Sequence, residues 1–210
     1  MGKYPRNGGS SSENPNKSGG PQRELPIDSQ TLSLLPGVAS LLRDRGIPFA
    51  VVGAAALAVH GVSRSTLDVD LLTLAAECLD AGAWESLRAA GVAVSVRHGG
   101  VNDPLAGVVR FTAPGQPPLD LVVGRSRWQE GVLARAREAL LEGVRVPVAV
   151  PADLILLKLY AGGPQDAWDI AQLLGGAERA ALVADVEASL DALPAGCRQF
   201  WARILESGRG

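Results

Sequence analysis

The chain has 210 residues, 47% of them hydrophobic and 20% charged, with a formal net charge of −2 and a pI near 5.7. That is enough apolar material for one substantial core, and the near-neutral balance lacks the global basic footprint of a nucleic-acid-binding domain. Every apolar stretch is interrupted by Asp, Arg, His or Gly before 18 residues, so none reads as a membrane span. Cys78 and Cys197 form no CxxC, and His60 and His98 share no metal-ligand spacing. This argues against a disulfide framework or a zinc site and points to a reducing cytoplasm.

The opening "MGKYPRNGGSSSENPNKSGGPQRELP" is rich in Gly, Ser, Asn and Pro and lacks the apolar centre of a signal peptide, so residues 1–24 read as a disordered tail. Met1-Gly2 begins like a myristoylation signal, but Arg6 stands where Ser or Thr is required. A helix is expected over Thr31–Arg45, its start delayed by Pro36 and its end set by Gly46, followed by a strand at Pro48–Val52. Gly53 opens an Ala-rich segment, Ala54–Val59, that favours helix. A strand at Leu67–Leu74 and an amphipathic helix at Ala76–Ala90, stopped by Gly91, come next. Strands follow at Val92–Val96, Val108–Thr112 and Leu119–Val123, separated by a loop at Gly99–Pro104 and a turn at Pro114–Pro118. From Arg127 the pattern is mainly helical apart from "VRVPVAV". Arg125, Arg127, Arg135 and Arg137 concentrate positive charge locally, as an ordinary solvated helix face also does.

The stretch "FAVVGAAALAVHGVSRSTLDVDLL" ends by setting two carboxylates, Asp68 and Asp70, into an apolar run. Side chains alternate along a strand, so both acids point to one face and Leu67, Val69 and Leu71 to the other. Two such acids are either solvated at an exposed strand end or held close together. Close together, they repel, and one takes up a proton or a cation bridges them. Magnesium suits the second case, being a hard ion that links one or two carboxylates to substrate phosphates. A third acid, Asp120 in "PPLDLVVG", is again a lone charge in an apolar strand. Three acids on adjacent strands would suit a two-metal site for in-line phosphoryl displacement. Gly53, between strand and helix, is either a steric necessity or a place where a phosphate meets backbone N–H groups.

The same residues resemble the signature of the nucleotidyltransferase superfamily that includes DNA polymerase beta and the aminoglycoside nucleotidyltransferases. That signature is a hydrophobic residue, Gly, then Gly or Ser, a spacer of nine to thirteen residues, and Asp-x-Asp. Here Gly53 and Ala54, thirteen residues, then Asp68 and Asp70 match it. "HGVSRSTLDVDLL" together with "VPVAVPADLILLKLYAGGPQDAWDIAQLL" is most similar to the AbiEii-type toxin nucleotidyltransferases, over roughly Phe49–Leu174. The resemblance implies an α/β (α+β) minimal nucleotidyltransferase fold: a mixed sheet with helices packed on it in residues 25–150, and a helical region at 151–210 that completes the site. It implies transfer of a nucleoside monophosphate from an NTP to an acceptor hydroxyl with Mg2+ held by Asp68, Asp70 and Asp120. Gly53 and Ala54 would cradle phosphates, while Lys158 and Asp169 would orient nucleotide or acceptor. An RNA or tRNA acceptor and a cognate antitoxin are implied partners, and no membrane is.

By chemistry alone, Pro151 and Asp153 suit the first turn of a helix, and Lys158 in "LILLKLY" either snorkels or contacts substrate. Asp166 and Asp169 share a helix face, and Asp166 also fits a capping acid. Arg64 resembles a phosphate-contacting basic residue of the motif, or else pairs with Asp68 or Asp70. His60 reads as structural, and Trp84, Trp128, Trp168 and Trp201 as core or surface anchors. The sequence departs from the family at Ala54, where a Gly or a hydroxyl-bearing Ser is usual, and at Gly163, where Arg is frequent. A narrow pocket beside the acids would favour a small-molecule acceptor over an open basic groove. Ala54 keeps open a catalytically degenerate binding module.

Overall fold

In the computed structural model the described residues are 34–63 and 68–207. The tail expected over 1–24 and Arg64 lie outside them. Helix α1 (Leu34–Asp44) leads into β1 (Phe49–Val52), α2 (Gly53–Val59) and β2 (Val69–Thr73). Two 3-10 turns and the short α3 (Glu85–Ala89) precede β3 (Ala93–His98), β4 (Leu105–Thr112) and β5 (Leu119–Gly124). Helix α4 (Gln129–Arg135), the hairpin β6 (Arg137–Leu141) and β7 (Val144–Val148), and helices α5 (Pro151–Ala161), α6 (Pro164–Leu173), α7 (Arg179–Leu190) and α8 (Ala195–Ser207) complete the chain.

The strands form one mixed sheet in the order β3-β4-β5-β2-β1-β7-β6. All four residues of β1 are buried, as a near-continuous apolar run in a covered central strand should be. β1 runs antiparallel to β2, and β2 parallel to β5. Consequently the end of β1 and the beginnings of β2 and β5 meet at one edge of the sheet, and this places the site. The core runs from Leu35, Val38 and Leu42 of α1 through Val51, Leu71 and Leu121 of the sheet to Ile155 and Leu159 of α5. Helix α5 begins on Pro151 at its first position and ends at Gly162, which takes φ +74° as a left-handed cap. No helix among the described residues is long and apolar enough to cross a membrane.

Two expected elements are different in the structure. The helix expected over Ala76–Ala90 is two 3-10 turns and a five-residue helix. Asp80 interrupts it by accepting the N–H of Gly82 at 2.9 Å, which caps a new turn and lets Cys78 and Trp84 both reach the core. The helical stretch expected from Arg127 is broken by β6. "REALL" has helix-favouring composition, but Glu142 and Gly143 both take positive φ, 49° and 77°, and fold it back on β7 as a two-residue hairpin.

Candidate active site

Asp68, Asp70, Asp120, Gly53, Ala54 and Lys158 line one cavity of about 230 Å³, with Arg110. The strand register brings the acids there. Asp70 is the cross-strand partner of Asp120 on β5 and of Val52 on β1, and Asp68 lies two residues before Asp70 at the exposed start of β2. The three acids expected to share a face therefore do meet at one cavity.

Gly53 serves Asp70 directly. It has φ +64°, and a Cβ there would stand 2.1 Å from Asp70 Oδ2. The missing side chain is thus a steric requirement of the aspartate, and it leaves the backbone at Gly53 and Ala54 open to the cavity. The Asp70 carboxyl is pushed up to about 6 from its ordinary value of 3.8, first by burial and then by the neighbouring charges of Asp120 and Asp68; Arg110 and Lys158 pull the other way.

Lys158 enters from α5 and is held by α6. Its Nζ donates to Asp166 Oδ1 at 3.2 Å and pairs with Asp169, which is 1% exposed. Asp166 also accepts the N–H of Gly163 at 2.9 Å, so it is both the capping acid of α6 and a partner of the lysine. Asp169 is buried behind Lys158 and is absent from the cavity lining, which makes it a positioning residue for the lysine. His60 is structural, its Nε2 2.8 Å from the carbonyl oxygen of Ala149. Trp84 and Trp201 are core residues, whereas Trp168 is half-exposed on α6.

Arg110 is the residue that sequence reasoning missed. From β4 it faces Asp120 across the sheet, and its Nε and Nη2 donate to Asp120 Oδ1 and Oδ2 at 2.8 and 2.6 Å. The pair raises the affinity of the guanidinium for its proton. Of the basic cluster near residue 130, Arg135 reaches inward to the fully buried Asp153, donating at 3.1 and 2.5 Å, and Arg125 donates to the carbonyl oxygens of Gly100 and Val101.

Three carboxylates are a hard-oxygen donor set of the kind magnesium takes, and the raised proton affinity of Asp70 reflects burial first and neighbouring carboxylates second, both of which a bound cation would offset. Among the described residues no three ligating side chains already stand grouped as a metal site. The acids fit the ion in chemistry, with Arg110 in the cation's place on Asp120.

No protein-family model and no curated protein matches the chain significantly. Among solved structures it is similar to an antigenic nucleotidyltransferase-like protein from Paracoccidioides brasiliensis, with a TM-score of 0.47 and 16% identity over 82% of this chain and 86% of that one. It is similar at a TM-score of 0.47 and 17% identity to the antibiotic-resistance factor ANT(2'')-Ia, over 83% and 95% of the two chains. The lincosamide antibiotic adenylyltransferase LnuA, bound to lincomycin, aligns at a TM-score of 0.41 and 12% identity over 67% and 94%.

Proposed function

We propose that the chain is a magnesium-dependent nucleotidyltransferase. The observation that carries this is the register of β2 and β5, which sets Asp70 beside Asp120 at a cavity shared with Asp68, the open backbone of Gly53 and Lys158. When bound, the ion supplies charge compensation for the triphosphate and polarises the reacting phosphoryl group. Asp68 and Asp70 would hold it, with Asp120 once Arg110 releases that carboxylate. The backbone of Gly53 and Ala54 receives phosphate oxygens, and Lys158, aimed by Asp169, neutralises the triphosphate. Asp120, freed of Arg110, would accept the proton of the acceptor hydroxyl. The hydroxyl oxygen then forms the bond to the α-phosphorus, the bond to the bridging oxygen breaks, and pyrophosphate leaves with that electron pair. The resemblance to AbiEii-type toxins extends the reading to an RNA or tRNA acceptor and a cognate antitoxin in the cytoplasm.

The test is incorporation of label from each α-labelled nucleoside triphosphate into total bacterial RNA with magnesium, comparing wild type with Asp70→Asn. Losing one anionic oxygen donor of a preorganised site should slow transfer at least ~10²-fold. Transfer undiminished in Asp70→Asn would overturn the mechanism. Absence of transfer by wild type to every acceptor pool would leave a nucleotide-binding module without the chemistry.

A further inference from the structure

Beside the cavity lies a second depression of about 210 Å³, lined by Ser95 and Arg97 of β3, Val108 and Arg110 of β4, and Asp120 of β5. Register makes these one patch: Ser95 stands opposite Arg110, Arg97 opposite Val108, and Arg110 opposite Asp120. Arg110 and Asp120 line both depressions, so their ion pair is the wall between them. The patch has two guanidinium groups and one carboxylate, and Arg110 already engages that carboxylate through both oxygens. Arg97 is exposed, and its side chain makes no hydrogen bond or ion pair among the described residues. It lies two strands, about 10 Å, across the sheet from Asp120 and one two-residue step, about 7 Å, along it. An arginine fork left unengaged at that distance from a proton acceptor is suited to an oxyanion on the molecule that supplies the proton.

We propose that this depression seats the acceptor, and that the acceptor carries a phosphate group near its reacting hydroxyl. Arg97 binds the phosphate, Ser95 donates its hydroxyl to it, and Arg110 turns from Asp120 toward the same group as the acceptor arrives. The inference rests on reading the neighbouring cavity as the transfer site. It disfavours polycationic acceptors, which would meet two guanidinium groups at the hydroxyl's approach.

The test uses the full chain in EDTA, following the Nε–H resonances of 15N-labelled arginines during titration with a 3′-hydroxyl RNA trinucleotide, with ribose 5-phosphate and with tobramycin. A phosphate-bearing probe should shift Arg97 and Arg110. Arg97→Gln should weaken that binding at least about tenfold, and Arg198→Gln, an exposed charge on α8 that lines neither depression, should leave it within about twofold. Response to the RNA alone assigns the phosphate to a nucleic acid; response to both assigns it to any phosphorylated hydroxyl compound. Tobramycin moving the same resonances more tightly, unaltered affinity in Arg97→Gln, or no saturation by either phosphate probe would overturn the seat. Magnesium and ATP titrated into an EDTA-free wild-type sample test the transfer reading separately. Nucleotide binding with a silent Arg97 removes only the acceptor seat, while an Arg97 response without nucleotide binding removes the transfer reading.

Discussion

Arg110 grips both carboxylate oxygens of Asp120, and so a cation of the chain itself occupies the third acid of the cavity. A metal that uses Asp120 has to displace that guanidinium. The pair is 57% exposed on the arginine side, so its strength is that of a solvent-screened bridge. Arg110→Ala should accordingly bind manganese, followed by electron paramagnetic resonance, more tightly than wild type. Arg97→Ala removes an equal charge from the same sheet face without freeing Asp120 and should change the affinity less. Equal gains in both variants would reduce the effect to general electrostatics.

Gly53 and Gly61 both have positive φ, +64° and +82°, but only at Gly53 would a Cβ collide, at 2.1 Å from Asp70 Oδ2. Gly61→Ala should cost only the left-handed backbone strain, on the order of 1 kcal/mol. Gly53→Ala adds displacement of Asp70 and should cost ~2–3 kcal/mol in chemical denaturation. It should also abolish magnesium-dependent nucleotide binding, which Gly61→Ala keeps. Equal behaviour of the two variants would mean that Asp70 yields freely and that Gly53 is not what fixes it.

The Asp70 carboxyl, raised to about 6, ties stability to pH with a definite sign. Below 3.8 the acid is protonated in folded and unfolded chains alike and contributes nothing. As pH rises from 3.8 toward 6, the unfolded chain ionises first, so the fold loses stability, by a total on the order of 3 kcal/mol, and the loss levels off above that window. Wild type minus Asp70→Asn, measured by urea denaturation across this range, should show that descent. A flat difference would place Asp70 at its ordinary proton affinity. Magnesium affinity should show the opposite slope, tightening with pH through about 6 as the ionised ligand forms.

The acids and the glycine were legible in the sequence because their signals are local. Asp68 and Asp70 are two residues apart on a strand, Gly53 ends one, and Asp120 is a lone charge in another. Lys158 and Asp169 were named through the resemblance, since a charge in an apolar helix alone leaves Lys158 between snorkelling and contact. Arg110 was not legible, since its meaning lies in the β4–β5 register, which places it on Asp120 ten residues away. The same limit hid β6. Its Ala, Leu and Glu residues favour helix locally, and only pairing with β7 across the Glu142-Gly143 turn overrules them. At Ala76–Ala90 the amphipathic pattern reads as one helix, and the capping carboxylate of Asp80 instead divides it so that Cys78 and Trp84 both reach the core.

Lys158 and Asp169 are 14% and 1% exposed as side chains, so each neutralises a partner that water hardly reaches. Lys158→Met takes the lysine from the buried Asp169 and should cost ~3 kcal/mol or more, whereas Asp169→Leu leaves Lys158 paired to Asp166 and should cost less. Asp166 is 21% exposed, and its loss leaves Lys158 paired to Asp169, so Asp166→Asn should cost ~1 kcal/mol. Replacing both charges, as Lys158→Met with Asp169→Leu, exchanges the ion pair for apolar packing and should restore most of the stability. Nucleotide affinity separates scaffold from function. If Lys158 serves the triphosphate, the double variant refolds to near wild-type stability and still binds ATP with magnesium at least ~10-fold more weakly, since a charge-assisted contact is gone. Recovery of nucleotide binding along with stability would show that the lysine only balances Asp169, and would remove it from the site.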